Sequence, residues 1–426
     1  MYCWSHLKEV MIVPKWYFGW NIVGAAAIIT LLTVGMRMGV GPFVLPIMED
    51  LNFSRTELST IIAVGMIVYG IGMPIAGYLV EKYSTNMVLI LGIIIVTISC
   101  VWTVLAQHPL NFFMAFGVFL SFGLAFTSPV ALTPVISRWF TQLRGRALFY
   151  LSTGSMAGIA IMTPVFSFLI EVFGWQATIL IFAVAFLIII IPTTIFIIRD
   201  HPPESALQSA SSSNARQDPD TTLTWKKAMA TPPFWLIAFG LFACGFSMNL
   251  LGTHGVPMLR DHGFEPITAS FAIGLIGIVA IPSTLFMGVL SDRLQRKHLL
   301  ALIYFVRGLG MVALVVVTVT WQLYMVAAIA GIVWAGSIAL SSAILSDVYG
   351  VRLVGLLYGW TYFGHQIGAM LSSWLGGWGY ETYGTHLVSF GVTGILLIAA
   401  SIVSLCISNT LKERQNYKPK EIAQSG

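Results

Sequence analysis

Charge is what this chain has least of. Asp, Glu, Lys and Arg make up 9% of its 426 residues, against roughly a quarter in soluble domains, while hydrophobic residues reach 57%. That balance excludes a soluble globular protein and suits a lipid environment. Cysteine is scarce too. Cys3, Cys100, Cys244 and Cys406 are scattered, the last three within apolar runs, which excludes a disulfide framework and a cysteine metal site. There is no glycine-rich loop ending in Lys-Ser or Lys-Thr, so ATP hydrolysis is not the energy source. No ligand-spaced His/Cys/Asp/Glu cluster and no Ser-His-Asp arrangement is readable, so neither an embedded enzyme nor a cofactor is expected. The net charge of +5 is too small to argue for nucleic acid. A signal peptide is not expected either, since the first apolar run is too long and lacks a cleavage site; Met11, just before that run, is an alternative start.

What the chain does have is twelve apolar runs long enough to cross ~30 Å of hydrocarbon. They lie near 17–47, 57–80, 87–106, 110–137, 145–170, 176–198, 234–259, 267–290, 299–320, 322–346, 354–380 and 386–408, and are numbered below as spans one to twelve. With the N-terminus inside, 18 of the 22 Lys and Arg residues face the cytoplasm, as the positive-inside rule requires. Arg55 and Arg260 face outside, and Arg37 and Arg307 are left within the membrane. Both termini are then cytoplasmic.

Between spans six and seven runs the longest polar stretch, Arg199 to Pro232, with Ser209-Ala210-Ser211-Ser212-Ser213-Asn214 inside it. Its composition reads as a flexible linker. The expected division is therefore a six-helix bundle at 1–198, a linker at 199–232, a second bundle at 233–411 and a tail at 412–426. A local echo supports an internal repeat. Gly77-Tyr78-Leu79-Val80-Glu81-Lys82 follows span two, and Gly288-Val289-Leu290-Ser291-Asp292-Arg293 follows span eight.

Arg37 and Arg307 are the only formal charges deep inside the spans, and no carboxylate lies at their depth. A charged side chain at membrane depth costs at least ~2.5–3.5 kcal/mol, so it is retained for a partner or a task. The missing partner of Arg37 is read as a small anion that comes and goes. Arg37 lies 17 residues past Trp20, about 25 Å along a helix, near mid-bilayer. The competing role is an arginine that snorkels toward the interface or bonds helix carbonyls near Pro42. Arg307 is ten residues past Lys297, and packing or hydrogen bonding within its own half is its expected role.

The loops after spans two and eight carry a resemblance to the major facilitator superfamily, whose signature there is Gly-x-Leu-x-Asp-Arg. The second copy keeps Gly288, Leu290, Asp292, Arg293, Arg296 and Lys297; the first matches in charge through Glu81 and Lys82. The resemblance implies an all-α membrane protein of twelve helices in two six-helix halves related by a pseudo-two-fold axis. Within that family the chain is similar to bacterial relatives of the monocarboxylate transporters and oxalate–formate exchangers. The matching pieces are Phe18-Gly19-Trp20, Gly41-Pro42-Phe43, Trp139-Phe140, Arg144-Gly145-Arg146-Ala147, Phe173-Gly174-Trp175 and His365-Gln366-Ile367-Gly368. Two departures stand out. Carboxylate carriers place an Arg in span eight, often with an Asp one turn earlier, and here Ile281 and Gly277 stand where those charges would be; Phe112 to Gly123 in span four holds no charge.

Those departures leave Arg37 as the replacement anion site. The resemblance puts span one on the cavity, with a lysine at nearly this position as the anion contact of monocarboxylate carriers. Span seven is the repeat of span one, and His254 stands 19 residues past Trp235, so the repeat sets it across the cavity from Arg37. A histidine there would bond a carboxylate or carry a proton; the alternative is a satisfied core histidine. His365 shares a helical face with Tyr358, Thr361 and Tyr362, backed by Gly355, Gly359, Gly364 and Gly368 at small-xxx-small spacing. That face suits a cavity wall, and plain packing is its alternative. Asn249, Tyr69 and Ser341 complete the cavity residues, and His254 and His365 are the proton-coupling candidates. The resemblance further implies cytoplasmic gate pairs, Glu81 with Arg352 and Asp292 with Arg144 or Arg146.

The expected protein is thus a secondary transporter in a bacterial inner membrane, working as a monomer. It would move a small organic anion, most of all a monocarboxylate, by proton symport or anion exchange. The alternatives are an efflux carrier for a hydrophobic or siderophore-like compound and a transport-silent sensor.

Overall fold

The computed structural model describes residues 17–140, 144–201, 224–334 and 336–407, and these form helices joined by short turns. Ten helical stretches among them are long and apolar enough to cross a membrane. One of these, Arg144–Phe196, is two helices folded back at Gly174, whose φ of 80° no L side chain adopts easily. Dividing it there, and counting Val351–Tyr383 as span eleven, gives the twelve crossings expected.

Local chemistry fixes the ends. Ser54 accepts from the Glu57 N–H while the Glu57 carboxylate takes the Ser54 N–H, a reciprocal cap that starts span two at Arg55. Ser84 caps span three through the Met87 N–H. Gly384, at φ 65°, stops span eleven.

Span one departs from the uninterrupted run that hydropathy predicts over 17–47. It is two helices, Gly19–Met38 and Gly41–Leu51, separated at Gly39 and Val40. The glycines either side of Val40 and the proline at position 42 make the break, and Gly41 is held against the second half. A Cβ there would lie 2.9 Å from the Gly252 carbonyl oxygen. Arg37 is in the last turn before this break. The fourth helix of each half is broken as well. Span four stops at Phe126 and restarts at Pro129, after a π-helical stretch at Phe113–Leu120. Span ten is interrupted between Ile332 and Gly336.

Two apolar cores result. One runs from Ile22 to Ile198 with Ala369, and the other gathers residues from Ala228 to Ile407 together with Val34, Met38, Met156 and Ile159 of the first half. The halves meet through glycine-lined crossings. Gly277 of span eight would place a Cβ 2.6 Å from the Ala160 backbone nitrogen of span five, and Gly377 of span eleven would place one 2.5 Å from Ser59 Cβ of span two. Arg55 and Asp261 mark the far side of the bundle, and Lys82, Arg138, Arg296 and Lys297 the basic side.

These crossings show which way the bundle is open. On the far side spans two and eleven are in contact at Ser59 and Gly377, and midway Gly70 lies against Gln366, 3.0 Å from Cβ to Cβ were a methyl present. Two turns nearer the basic side, Gly359 shares the helical face of Gln366 yet has nothing within 4 Å. The same face of span two, at Gly77, meets only Val130 of its own half. Among the described residues the halves are sealed on the far side and part toward the basic side.

Candidate functional site at the centre of the two halves

Arg37 is 9% exposed and reaches from the broken first span into the seam between halves. One Nη2 hydrogen bond goes to Gln366 Oε1 of span eleven at 2.7 Å, and a second contact reaches the Met66 sulfur at 3.4 Å. The guanidinium lies over the Tyr69 ring, 4.3 Å from its centroid, where the quadrupole attracts a cation. All three partners are neutral. Arg37 Nε has no hydrogen-bond partner among the described residues. A buried cation so placed keeps donors available to an incoming anion.

Beside it, Tyr362 and His365 stack with ring centroids 4.8 Å apart and planes 6° from parallel, and Tyr358 leans on Tyr362 at 5.7 Å. His365 is 2% exposed, and neither ring nitrogen has a partner among the described residues. The electrostatic neighbours of His365 are Arg37 and Arg307. The structure therefore brings Arg37, Tyr69, Tyr362 and His365 together. It adds Gln366, which in the sequence stands only as one letter of a motif. Behind this wall Gly368 packs so closely on the Phe242 carbonyl of span seven that a Cβ would clash with it.

His254 is placed differently from the sequence expectation. Its Nε2 meets the Ser373 carbonyl at 2.8 Å, within the second half, and Gly376 is closed over the ring. The ionisable groups acting on it are Arg55, Asp261 and His386 on the far side; the structure does not set it across a cavity from Arg37. Asn249 likewise clasps span eleven, donating to the Ala369 carbonyl at 2.8 Å and to Ser373 Oγ at 2.9 Å. Ser341 is buried at the start of the second part of span ten.

Arg307 is engaged inside its half. Its Nη2 donates to the carbonyls of Val333 (2.7 Å) and Trp334, and Nη1 to Cys244 Sγ at 3.2 Å. Those carbonyls are the ones freed by the break in span ten, so the arginine caps a helix end in lipid, where water cannot. Arg307→Gln is expected to lower the melting temperature by several degrees, the loss of ~1.5–3 kcal/mol for bonds to a charged donor, and to leave substrate half-saturation unchanged. Thermal unfolding and transport kinetics of the same preparation check this; a changed half-saturation at unchanged stability would contradict it.

The far side carries a second cluster that sequence reasoning missed. Arg55 of span two donates to both carboxylate oxygens of Asp261 at the end of span seven, at 2.6 and 3.3 Å, and stacks on Tyr380 at 3.9 Å. His386 Nε2 meets the same carboxylate at 2.8 Å. Arg55 supplies the fixed positive charge of this cluster. The Thr56 N–H donates to Glu381 Oε2 at 3.0 Å. Among the described residues the Arg55–Asp261 pair is the one ion pair joining the halves. Those on the basic side, Arg138–Asp200 and Arg296–Asp347, stay within one half. Of the gate residues expected there, Glu81 and Arg146 are exposed, and the side chains of Arg144, Asp292 and Arg352 lie outside the described residues.

With this geometry in hand, the comparisons with known proteins decide the family. The model of the Major Facilitator Superfamily matches residues 26–337 and, in a second match, 255–424. The chain belongs to that superfamily. Its members are transporters, not enzymes, and a multi-pass membrane transporter is what the helices build. Among relatives, an uncharacterized MFS-type transporter of Bacillus subtilis is 26% identical over 85% of this chain and 88% of its own length. The oxalate:formate antiporter of Oxalobacter formigenes is 22% identical, covering 95% of this chain and 96% of its own length. Human monocarboxylate transporter 11 is 23% identical over 93% and 84%. A bacterial homologue of the lysosomal transporter Spinster superposes with a TM-score of 0.70 at 15% identity, covering 94% of this chain and 98% of its own, and shares the fold. At Gly277 the span-five backbone passes so close that any side chain would have to push the halves apart.

Proposed function

We propose that this superfamily member carries a small monocarboxylate across a bacterial cytoplasmic membrane by alternating access, with Arg37 as the anion-binding charge. The observation that carries the reading is Arg37 itself: a buried guanidinium between the halves, held by an amide, a thioether and an aromatic face, with no carboxylate against it among the described residues. An anion with one carboxylate supplies the missing charge and two acceptors in the fork geometry that guanidinium prefers. The relatives that transport monocarboxylates, or exchange oxalate and formate, support the same class of cargo. The positive-inside rule assigns the basic side and both termini to the cytoplasm, so the opening faces inward and Arg55–Asp261 closes the outside. Glu81 with Arg352, and Asp292 with Arg144 or Arg146, are then the cytoplasmic gate of this account. The carrier needs no cofactor and works as a monomer in this account.

Counterflow of labelled acetate, lactate, pyruvate, oxalate and succinate in proteoliposomes tests the cargo. Accumulation of at least one monocarboxylate supports the reading, and failure of all five overturns it. Proton coupling, where present, runs through His365, whose two ring nitrogens are buried without partners among the described residues, rather than through His254, which is bonded to Ser373. His365→Gln is expected to cut acid-stimulated uptake by tenfold or more. Uptake still rising as strongly with external acid in that variant would remove His365 from the proton path.

A further inference from the structure

We infer that Gln366 is an internal stand-in for the substrate carboxylate, occupying Arg37 in the empty carrier so that it can reorient unloaded and perform net transport rather than obligatory exchange. This rests on the anion reading of Arg37.

The carboxamide C=O of Gln366 is trigonal, like one arm of a carboxylate, and sits at 2.7 Å from Arg37 Nη2. A bidentate anion uses two guanidinium N–H groups side by side. Gln366 holds one N–H of Nη2, the nitrogen that also meets the Met66 sulfur, so an anion that pairs through the Nη side competes with it. A charge-assisted bond to an anion is about twice as strong as one to a neutral acceptor, so the anion wins the exchange while the amide stays a usable placeholder.

Placement matters as much as chemistry. Arg37, Met66 and Tyr69 all belong to spans one and two and move with the first half. Gln366 belongs to span eleven and the second half. The Gly70–Gln366 contact lies at the level where the halves pass from packed, at Ser59 and Gly377, to parted, at Gly359. Points at that level move least when the halves rock, so a bond across it can persist through the transition. Without it, the guanidinium would cross the seam short of a partner on the opposing half, and an unpaired buried charge disfavours that step. Only loaded carriers would then cross, which is exchange.

The experiment compares two fluxes of the full-length carrier in proteoliposomes, using whichever of the five labelled anions gives counterflow. Exchange is read with anion on both sides, and net uptake with an anion-free lumen and an imposed inward gradient. Gln366→Ala is expected to lower the half-saturation concentration for exchange, because the competitor is gone. Its net uptake should fall relative to exchange by tenfold or more, the size expected for a lost bond to a charged group. Gln366→Asn keeps the amide but draws it back by one methylene, and should show the same split in a side chain that packs more like the original. Gln366→Glu should raise half-saturation at least tenfold, since a fixed carboxylate competes for Arg37. The inference is overturned if net uptake and exchange fall together in both Gln366→Ala and Gln366→Asn. It is equally overturned if neither variant changes their ratio, or if the unmodified carrier exchanges but performs no net uptake. Absence of counterflow with all five anions would overturn the anion reading itself, and this inference with it.

Discussion

Arg37→Gln is expected to abolish transport in a carrier that still folds, and Arg37→Lys to restore part of it. The lysine keeps the charge but loses the fork, so it holds a carboxylate through one point rather than two. Removing one partner of a buried, hydrogen-bonded charge pair costs about 2–5 kcal/mol, a fall of roughly thirtyfold to several thousandfold in affinity. Stability should move the other way. In the empty carrier Arg37 is a buried charge with neutral neighbours, and its Nε is unpartnered. Replacing it by a neutral amide relieves desolvation, so Arg37→Gln is expected to melt at or above the parent temperature while transport is lost. Size-exclusion profile, melting temperature and counterflow on one preparation check all three. Transport at the parent rate in folded Arg37→Gln would end the account.

Arg37 is legible in the sequence because lipid makes charge conspicuous. An arginine at mid-depth stands out in a span where no other residue carries a charge, and the count of runs and the basic loops point to fold and topology by the same logic. What the sequence hides follows from geometry that hydropathy does not register. A break in a span changes no hydropathy sum, so the interruption at Gly39 and Val40 is invisible in the average, although Gly39, Gly41 and Pro42 spell it out. Gln366 passes unnoticed because an uncharged amide beside a histidine carries no signal until Arg37, 329 residues away in the chain, is brought to it. His254 misleads for a related reason. The repeat gives its depth, but a small helical rotation decides whether a ring faces the seam or the neighbouring helix, and Gly376 opens space for it on span eleven. Arg307 is distinguishable from Arg37 because its span is peripheral, and the carbonyls it caps are those that the break in span ten exposes.

Asp261→Asn is expected to open the outside. Asp261 takes two bonds from Arg55 and one from His386, and an asparagine at this place accepts through a single oxygen without charge. Arg55, 8% exposed under Tyr380, would be left near-buried with no counter-charge whenever the outer seal closes. Breaking a fully buried pair costs 3–5 kcal/mol. Asp261 retains 20% of its exposure, so about 1.5–3 kcal/mol is the fitting range, a shift of roughly tenfold to a hundredfold toward the outward-open state. The outward-open state removes the need for the pair, since water then solvates Arg55. Ile62 shares the inter-half face of span two with Arg55, seven residues away, and is buried in the closed seal. A cysteine in its place, in an otherwise cysteine-free carrier, should react with a membrane-impermeant maleimide at least tenfold faster in the Asp261→Asn background. Asp261→Glu, which keeps the charge, should bring the rate back toward the parent value. Equal labelling in the Asp261 and Asp261→Asn carriers would show that glycine packing at Gly377, Gly41 and Gly277 closes the outside unaided, and that the ion pair only decorates it.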